Sequence, residues 1–256
     1  MNEKEIISEI KNKLDEIERK ENIKIIHCVE SGSRAWGFAS PDSDFDVRFI
    51  YVRKLSDYLR LERTRDVIEW ELNDVYDING WDIKKVLELL HKSNPTLFEW
   101  NSSPLVYRTT PEWETVRTVI NDSFMSKAGM YHYLSTAKSN NREFLQSREV
   151  KLKKYFYVLR PILACKWILD RGTPPPMLFS ELMDAELEQD MRPAVEKLLE
   201  AKMKTPEIGK GKRIDELNEY IDRQLEELKH KADSMNGEKP VEWHRLDEVF
   251  FKLLGI

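Results

Sequence analysis

Residues 23–52 read IKIIHCVESGSRAWGFASPDSDFDVRFIYV, and how this stretch is divided decides the fold. Ile23 to Val29 is dense in β-branched residues and reads as a strand. Asp44 to Val52 opens with a polar–apolar alternation and reads as a second strand. Between them Glu30 to Ser43 is polar and contains glycine, so the chain runs strand, Gly32-Ser33, short turn, then a strand that opens Asp-x-Asp. Residues i and i+2 of a strand leave the same face, so Asp44 and Asp46 project together. Two carboxylates that close repel each other, and a divalent cation between them relieves the repulsion. Hard anionic oxygens suit Mg²⁺, with Mn²⁺ as the substitute. Gly32 permits close backbone approach, and Ser33 adds a hydroxyl to the exposed N–H groups, which together make a cradle for a phosphate tail. A phosphate cradle beside a two-carboxylate metal site is what phosphoryl or nucleotidyl transfer requires.

Three other readings compete for the same residues. Asp42, Asp44 and Asp46 give D-x-D-x-D, but Val47 and Arg53 stand where a calcium loop needs glycine and glutamate. A serine-hydrolase elbow around Ser33 lacks its flanking glycines. An exposed acidic turn of Ser, Pro and Asp would explain a bare D-x-D, but not the Gly-Ser upstream between two strand-like segments.

Outward from this stretch, residues 3–20 place Ile6, Ile7, Ile10, Leu14 and Ile17 at helical steps. Strands are expected over 66–72 and 75–82, joined at Asn73-Asp74. From Ile83 the period turns helical, with Val86, Leu87, Leu89 and Leu90 on one face, and Ser93-Asn94-Pro95 stops one helix and starts another. Beyond residue 110 no strand is expected. Helices are predicted over 111–121, 124–147, 150–171, 190–203, 214–233 and 243–254, with Pro174–Pro176 a stiff connector and Lys204–Arg213 an exposed loop. Strands first and helices afterwards make the fold class α+β, a small mixed sheet with flanking helices followed by an all-helical domain.

The chain has 256 residues, 41% of them apolar and 34% charged, enough to bury a core. Cys28 and Cys165 are expected as buried thiols, and neither they nor the five histidines show zinc spacing. No leader-like apolar run and no membrane-length apolar stretch is present, which leads to the expectation of a soluble, cytoplasmic protein with no membrane partner. The net charge of −5 hides a division: residues 126–178 carry ten Lys or Arg against three acids, while 1–125 and 179–256 are each acidic. A basic middle between acidic flanks is a local field, the kind that draws a polyanion, or else a solvated face.

Gly-Ser followed by Asp-x-Asp resembles the DNA polymerase beta superfamily of nucleotidyltransferases. More narrowly, GSRAWGFASPDSDFDVRFIY, DINGWDIKKVLELLHKSNPTLFEWNSSPLVY, KKYFYVLRPILACKWI and GTPPPMLF resemble the RNA repair pathway DNA polymerase beta family, across most of residues 22–180. With the change from strands to helices near 105–123, the expected domains are a catalytic one over 1–110 and a helical one over 111–256 that closes the nucleotide cleft. The resemblance implies a third carboxylate on a neighbouring strand, sharing the metal and taking the proton of the acceptor hydroxyl. Asp82 is the choice, against the competing role of helix N-cap before Ile83, with Glu71 and Asp77 as rivals.

Around this core, Arg34 is expected either to reach a phosphate or to anchor its turn, and Trp36 to pack. Arg48, two residues after the dyad on the same strand face, is expected to touch the nucleotide or to balance the dyad's charge. Lys153, Tyr157 and Arg160 form one stripe of the 150–171 helix, opposite Phe156, Leu159, Ile162 and Leu163, and would offer a charge clamp and a stacking ring to a triphosphate and its base. A basic solvated face is the alternative. Lys138, Asn140, Asn141 and Arg142 would extend a track for an RNA backbone. The expected activity is metal-dependent transfer of a nucleotide from a nucleoside triphosphate to an acceptor hydroxyl, an RNA end before others. A protein or small-molecule acceptor, or a non-catalytic nucleotide-binding module, stands as the alternative.

Overall fold

A computed structural model of the chain describes residues 3–204 and 209–256. In chain order the first half runs α1 (Glu3–Glu21), β1 (Lys24–Glu30), α2 (Gly32–Ala35), β2 (Phe45–Val52), α3 (Leu55–Tyr58), β3 (Val67–Leu72), β4 (Tyr76–Asp82), α4 (Ile83–His91), α5 (Pro95–Asn101), β5 (Val106–Thr109) and α6 (Pro111–Ile120). The second half runs α7 (Ser126–Phe144), β6 (Glu149–Lys151), α8 (Lys154–Arg171), α9 (Phe179–Glu186), α10 (Arg192–Lys204), β7 (Lys210–Lys212), α11 (Asp215–Ser234) and α12 (Trp243–Leu254). The fold is α+β, as the order of elements in the sequence implies. Among the described residues no helix is long and apolar enough to cross a membrane.

Packing divides the chain into two compact units. The first comprises the chain up to Gly32, Asp44–Ser123 and Pro240–Ile256; the second comprises Ser33–Ser43 and Phe124–Lys239. Relative to a border at residue 110, α6 and α12 go with the sheet, and the turn after Gly32 goes with the helices.

In the first unit the five strands lie in the order β3-β4-β2-β1-β5. β2 and β4 are parallel, and every other neighbour pair is antiparallel. The period of two in β2 sorts its side chains. Phe45, Val47, Phe49 and Tyr51 join Ile10, Leu14 and Ile17 of α1 in one apolar cluster, and Asp46 and Arg48 turn to the other face. Tyr76 and Ile78 of β4 enter the same cluster, which leaves Asp77 and Asn79 on the face of Asp46. Full burial of side chains such as Leu14 or Phe49 contributes about 1.5–3 kcal/mol each. Gly80 sits in the middle of β4 because a Cβ there would enter the ring of Phe49, its register partner on β2. Two helix starts follow their sequence signals: Asp82 caps α4 by accepting from Lys84 N at 2.8 Å, and Asn94 caps α5 by accepting from Thr96 N at 3.0 Å. α12 packs against α4 and α6, with Trp243 stacked 3.8 Å from the ring of His91.

In the second unit α8 is the buried axis. Phe156, Leu159, Ile162 and Leu163 are in the core, as their stripe predicts, but so are Tyr155, Val158 and Arg160 on the other side. Phe38, from the turn after Gly32, inserts into this core between Phe156 and Phe179, 4.9 and 5.3 Å away between ring centres.

The expectation of no strand beyond residue 110 is corrected: β6 and β7 form a two-stranded antiparallel ribbon. Each strand is three residues long, too short to show an alternation. The expected loop over 204–213 thus holds a strand at its end, and its residues 205–208 lie outside the described residues. Both cysteines are free and buried, and burial pushes both thiols up.

Candidate active site

The site on the sheet is set by the parallel register of β2 and β4. Asp46 pairs with Asp77, and Arg48 with Asn79, so these four side chains share one face at the start of both strands. Arg48 ties them together: Nη2 donates to Asp46 Oδ1 at 3.0 Å and to Asp77 Oδ2 at 2.6 Å, and Nη1 donates to the Asp77 carbonyl at 2.7 Å. Asn79 Nδ2 donates to Asp77 Oδ1 at 3.3 Å. Asp44, exposed, stands one residue before β2.

The backbone beneath Asp46 is fixed by a buried carboxylate. Glu30, at the end of β1, accepts from Asp46 N at 2.8 Å and from the Tyr107 hydroxyl on β5, while Ser31 N donates to the Asp46 carbonyl at 2.8 Å. Gly32 follows at φ +61°, and a Cβ there would fall on the Asp46 carboxylate, 2.9 Å from Cγ. Glycine at this position therefore serves both the left-handed backbone and the space the carboxylate occupies.

Asp82 does not join these residues, which corrects its choice as third carboxylate. Its register partner is Tyr51, five residues along from Asp77, or roughly 16 Å at the rise of a strand. It also has the alternation of Tyr76 and Ile78, not of Asp77. Its bonds are those of a cap: Lys84 N at 2.8 Å, and the Tyr58 hydroxyl at 3.2 and 3.1 Å to its two oxygens, with Arg53 Nε 3.8 Å away. Burial raises its pKa from 3.8 to about 6, against the pull of those donors. Glu71, the other rival, pairs with Ile78 and forms an ion pair at 2.7 Å with Lys13 of α1, on the far face of the sheet.

The remaining candidates belong to the second unit. Ser33 Oγ donates to Ser43 Oγ at 3.2 Å, and Ser43 Oγ accepts from Ser40 N at 2.9 Å, closing the turn across its two ends. Arg34 Nη2 donates to the Ser43 carbonyl at 2.6 Å, within the same turn. Trp36 packs, with Tyr157 edge-on at 5.4 Å and the Arg160 guanidinium 4.8 Å above its ring. The expected presentation of Arg160 to a ligand is corrected: it is 3% exposed, and its Nη2 donates to the carbonyls of Pro176 and Met177 at 3.5 and 3.4 Å. Helix α8 begins at Lys154, so Lys153 is its flanking residue; Lys153 and Tyr157 are half-exposed.

Over residues 6–252 the sequence matches the RNA repair pathway DNA polymerase beta family. The chain belongs to that family. It is also 46% identical over 236 residues, 91% of this chain and 89% of the relative, to the "Uncharacterized protein YcgL" of Bacillus subtilis (strain 168). The crystal structure of a nucleotidyltransferase-like protein from Exiguobacterium sibiricum 255-15 matches at 15% identity and a TM-score of 0.27, covering 95% of this chain and 79% of that one; at that level it adds nothing to the family assignment. Family membership makes the chain a nucleotidyltransferase-like protein.

A polymerase-beta-like family implies a divalent metal, and the donor chemistry on the sheet fits one. Asp44, Asp46 and Asp77 supply hard carboxylate oxygens, and the missing Cβ of Gly32 makes the room that the Asp46 carboxylate occupies. Among the described residues no three His, Cys, Asp or Glu side chains converge into a metal cluster, and the cation between Asp46 and Asp77 is the Arg48 guanidinium.

Sequence reasoning missed Glu30 and Tyr107 and ranked Asp77 below Asp82. For Asp77 a signal existed. In Tyr76-Asp-Ile-Asn-Gly-Trp-Asp82 the polar residues Asp77 and Asn79 alternate with apolar ones, and Asp82 falls on the apolar parity. For Glu30 and Tyr107 there was none, because β5 is four residues long and its pairing to β1 is not local.

Proposed function

We propose that the chain is a metal-dependent nucleotidyltransferase that moves a nucleoside monophosphate from a nucleoside triphosphate to a hydroxyl at an RNA end, with release of pyrophosphate. The observation that carries this reading is the parallel pairing that sets Asp46 against Asp77, with Asp44 two residues ahead of Asp46. Asp44 and Asp46 would hold Mg²⁺, and Asp77 takes the role that Asp82 cannot fill. Bound Mg²⁺ would neutralise phosphate charge and lower the pKa of the acceptor hydroxyl.

The chain's own residues do the rest. Asp77 accepts the proton of the acceptor hydroxyl, the acceptor oxygen bonds the α-phosphorus, and the α–β bridging bond breaks with its electron pair leaving on pyrophosphate. Arg48 balances the paired carboxylates before substrate arrives. Glu30 fixes the N–H of Asp46, so the carboxylate is aimed before anything binds. Gly32 keeps the backbone next to Asp46 free of a side chain. The RNA acceptor is supported by the family's description and by the basic segment over 126–178.

The test is incubation of the protein with each α-labelled nucleoside triphosphate, Mg²⁺ and RNA bearing free terminal hydroxyls. Label on RNA with matching pyrophosphate, both lost in Asp44→Ala with Asp46→Ala, is the expected result. Label on protein or on a small molecule overturns the RNA acceptor. Nucleotide binding without pyrophosphate release, or turnover that survives the double substitution, overturns the transfer chemistry.

A further inference from the structure

Residues 148–154 and 210–213 together carry seven Lys or Arg and one acid, Glu149, in a chain whose net charge is −5. The pairing of β6 with β7 brings these two segments into one ribbon: Glu149 opposite Lys212, Val150 opposite Gly211, and Lys151 opposite Lys210. Alternation divides the faces. Val150 is 1% exposed and Gly211 lies against Leu152, so this pair forms the inner face. Glu149, Lys151, Lys210 and Lys212 share the outer face and are all exposed. Arg213 N donates to the Arg148 carbonyl at 3.0 Å, which extends the ribbon by one step and adds two more cations beside it.

Two features mark this face as built for an anion. Lys151 and Lys210 stand directly opposite each other, Cβ atoms roughly 5 Å apart, an arrangement that costs stability unless negative charge lies over it. Among the described residues Arg148, Lys151, Lys210 and Lys212 make no ion pair, while Arg213 has the carboxylate of Asp215 at 3.3 Å. A recess of about 470 Å³ runs beside the ribbon, where Arg148, Lys212 and Arg213 outnumber the acids Glu149 and Asp215.

We infer that the outer face of the β6–β7 ribbon binds the phosphate backbone of single-stranded RNA. This rests on the proposal that an RNA end is the acceptor. Successive cross-strand pairs on that face are roughly 7 Å apart, a spacing comparable to the phosphate repeat of an extended strand. The outer face carries no aromatic ring to stack a base, so it positions RNA without reading its sequence. It also carries no apolar side chain to enter a lipid surface, which favours RNA over an anionic membrane.

The experiment measures binding of a fluorescent single-stranded RNA of mixed sequence to the full chain across a KCl series. A parallel arm uses phosphatidylserine vesicles. Lys151→Ala, Lys210→Ala and Lys212→Ala combined should weaken RNA binding about 100-fold at 0.1 M salt and lower the salt slope by about 2. The corresponding triple Lys→Arg variant should bind as the unaltered chain does. Mg²⁺-dependent nucleotide binding should be unchanged in both variants; the Arg variant should melt as the unaltered chain does, and the Ala variant no lower, because it removes the like-charge pair.

If the triple Ala variant does not fold, Lys151→Ala alone, which relieves a like-charge contact, should weaken binding about fivefold. Equal RNA binding by wild type and Ala variants overturns the ribbon and leaves the acceptor proposal standing. Loss of binding in the Arg variant as well shows that charge is not the cause and overturns it too, as does vesicle binding without RNA binding. A wild-type chain that neither binds nor labels RNA removes the acceptor proposal, and the ribbon with it.

Discussion

Replacing Asp82 with Asn should stabilise the protein above pH 6 and leave it unchanged near pH 4. Asp82 is 4% exposed, and burial holds its folded pKa at about 6, against 3.8 for a freely solvated carboxyl. Between those values the folded chain keeps a proton that the unfolded chain has released. The contribution of Asp82 to stability is therefore full below about pH 4 and is lost as pH rises through 6. A displacement of about two pKa units at 1.36 kcal/mol each makes the loss about 3 kcal/mol. Asn carries no charge, still presents an oxygen to Lys84 N and Tyr58, and is among the preferred N-cap residues.

The assay is urea unfolding of wild type and Asp82→Asn at several values between pH 4 and 7.5, with amide exchange in β4 and α4 to localise the effect. The stability gap should open from near zero to about 3 kcal/mol in favour of Asn. A gap independent of pH, or one that closes as pH rises, refutes the assignment of Asp82 as a buried cap.

Three further outcomes are expected. Asp77→Asn should lower nucleotide-transfer turnover at least 100-fold while Asp82→Asn changes it less than threefold, a split on the order of a lost general base and read by pyrophosphate release; equal losses would reject Asp77. Gly32→Ala should cost about 1–2 kcal/mol for its left-handed backbone alone and reduce turnover further by displacing Asp46, since the new Cβ meets that carboxylate; melting curves and turnover together measure this, and an unchanged enzyme would contradict it. Tyr107→Phe should cost about 1–3 kcal/mol by leaving the buried Glu30 carboxylate one donor short, measured by thermal melting at pH 7; a neutral result would mean Glu30 does not depend on that hydroxyl.

Most elements were legible because their signals are local. α1 shows five apolar residues at helical steps, β2 alternates over its first four residues and then runs apolar, and α4 and α5 carry Asp82 and Asn94 as caps. The elements that were not legible are short or take their stability from partners. β5 has only Tyr107 buried and exists as an edge of β1; β6 and β7 exist only as each other's partner. α8 was legible as a helix but not as a buried one. A Lys-Tyr-Arg stripe reads as a solvated face, yet Arg160 is covered because the chain after Pro174–Pro176 returns over it and offers the carbonyls of Pro176 and Met177.

The site shows the same division between parity and register. Parity is written in the sequence: Asp44 and Asp46 alternate with Phe45 and Val47, and Asp77 and Asn79 alternate with Tyr76 and Ile78. Register is not, because β2 could pair with β3 as readily as with β4 on composition alone. Once β2 lies parallel to β4 with Asp46 against Asp77, the three candidate carboxylates separate without further assumption. Glu71 faces α1, where Lys13 neutralises it. Asp82 has the parity of the α1 face and stands five residues down the strand, where a helix begins and needs a cap. Of the three, Asp77 alone has both the right face and the right end, and the guanidinium of Arg48 bridges it to Asp46 there.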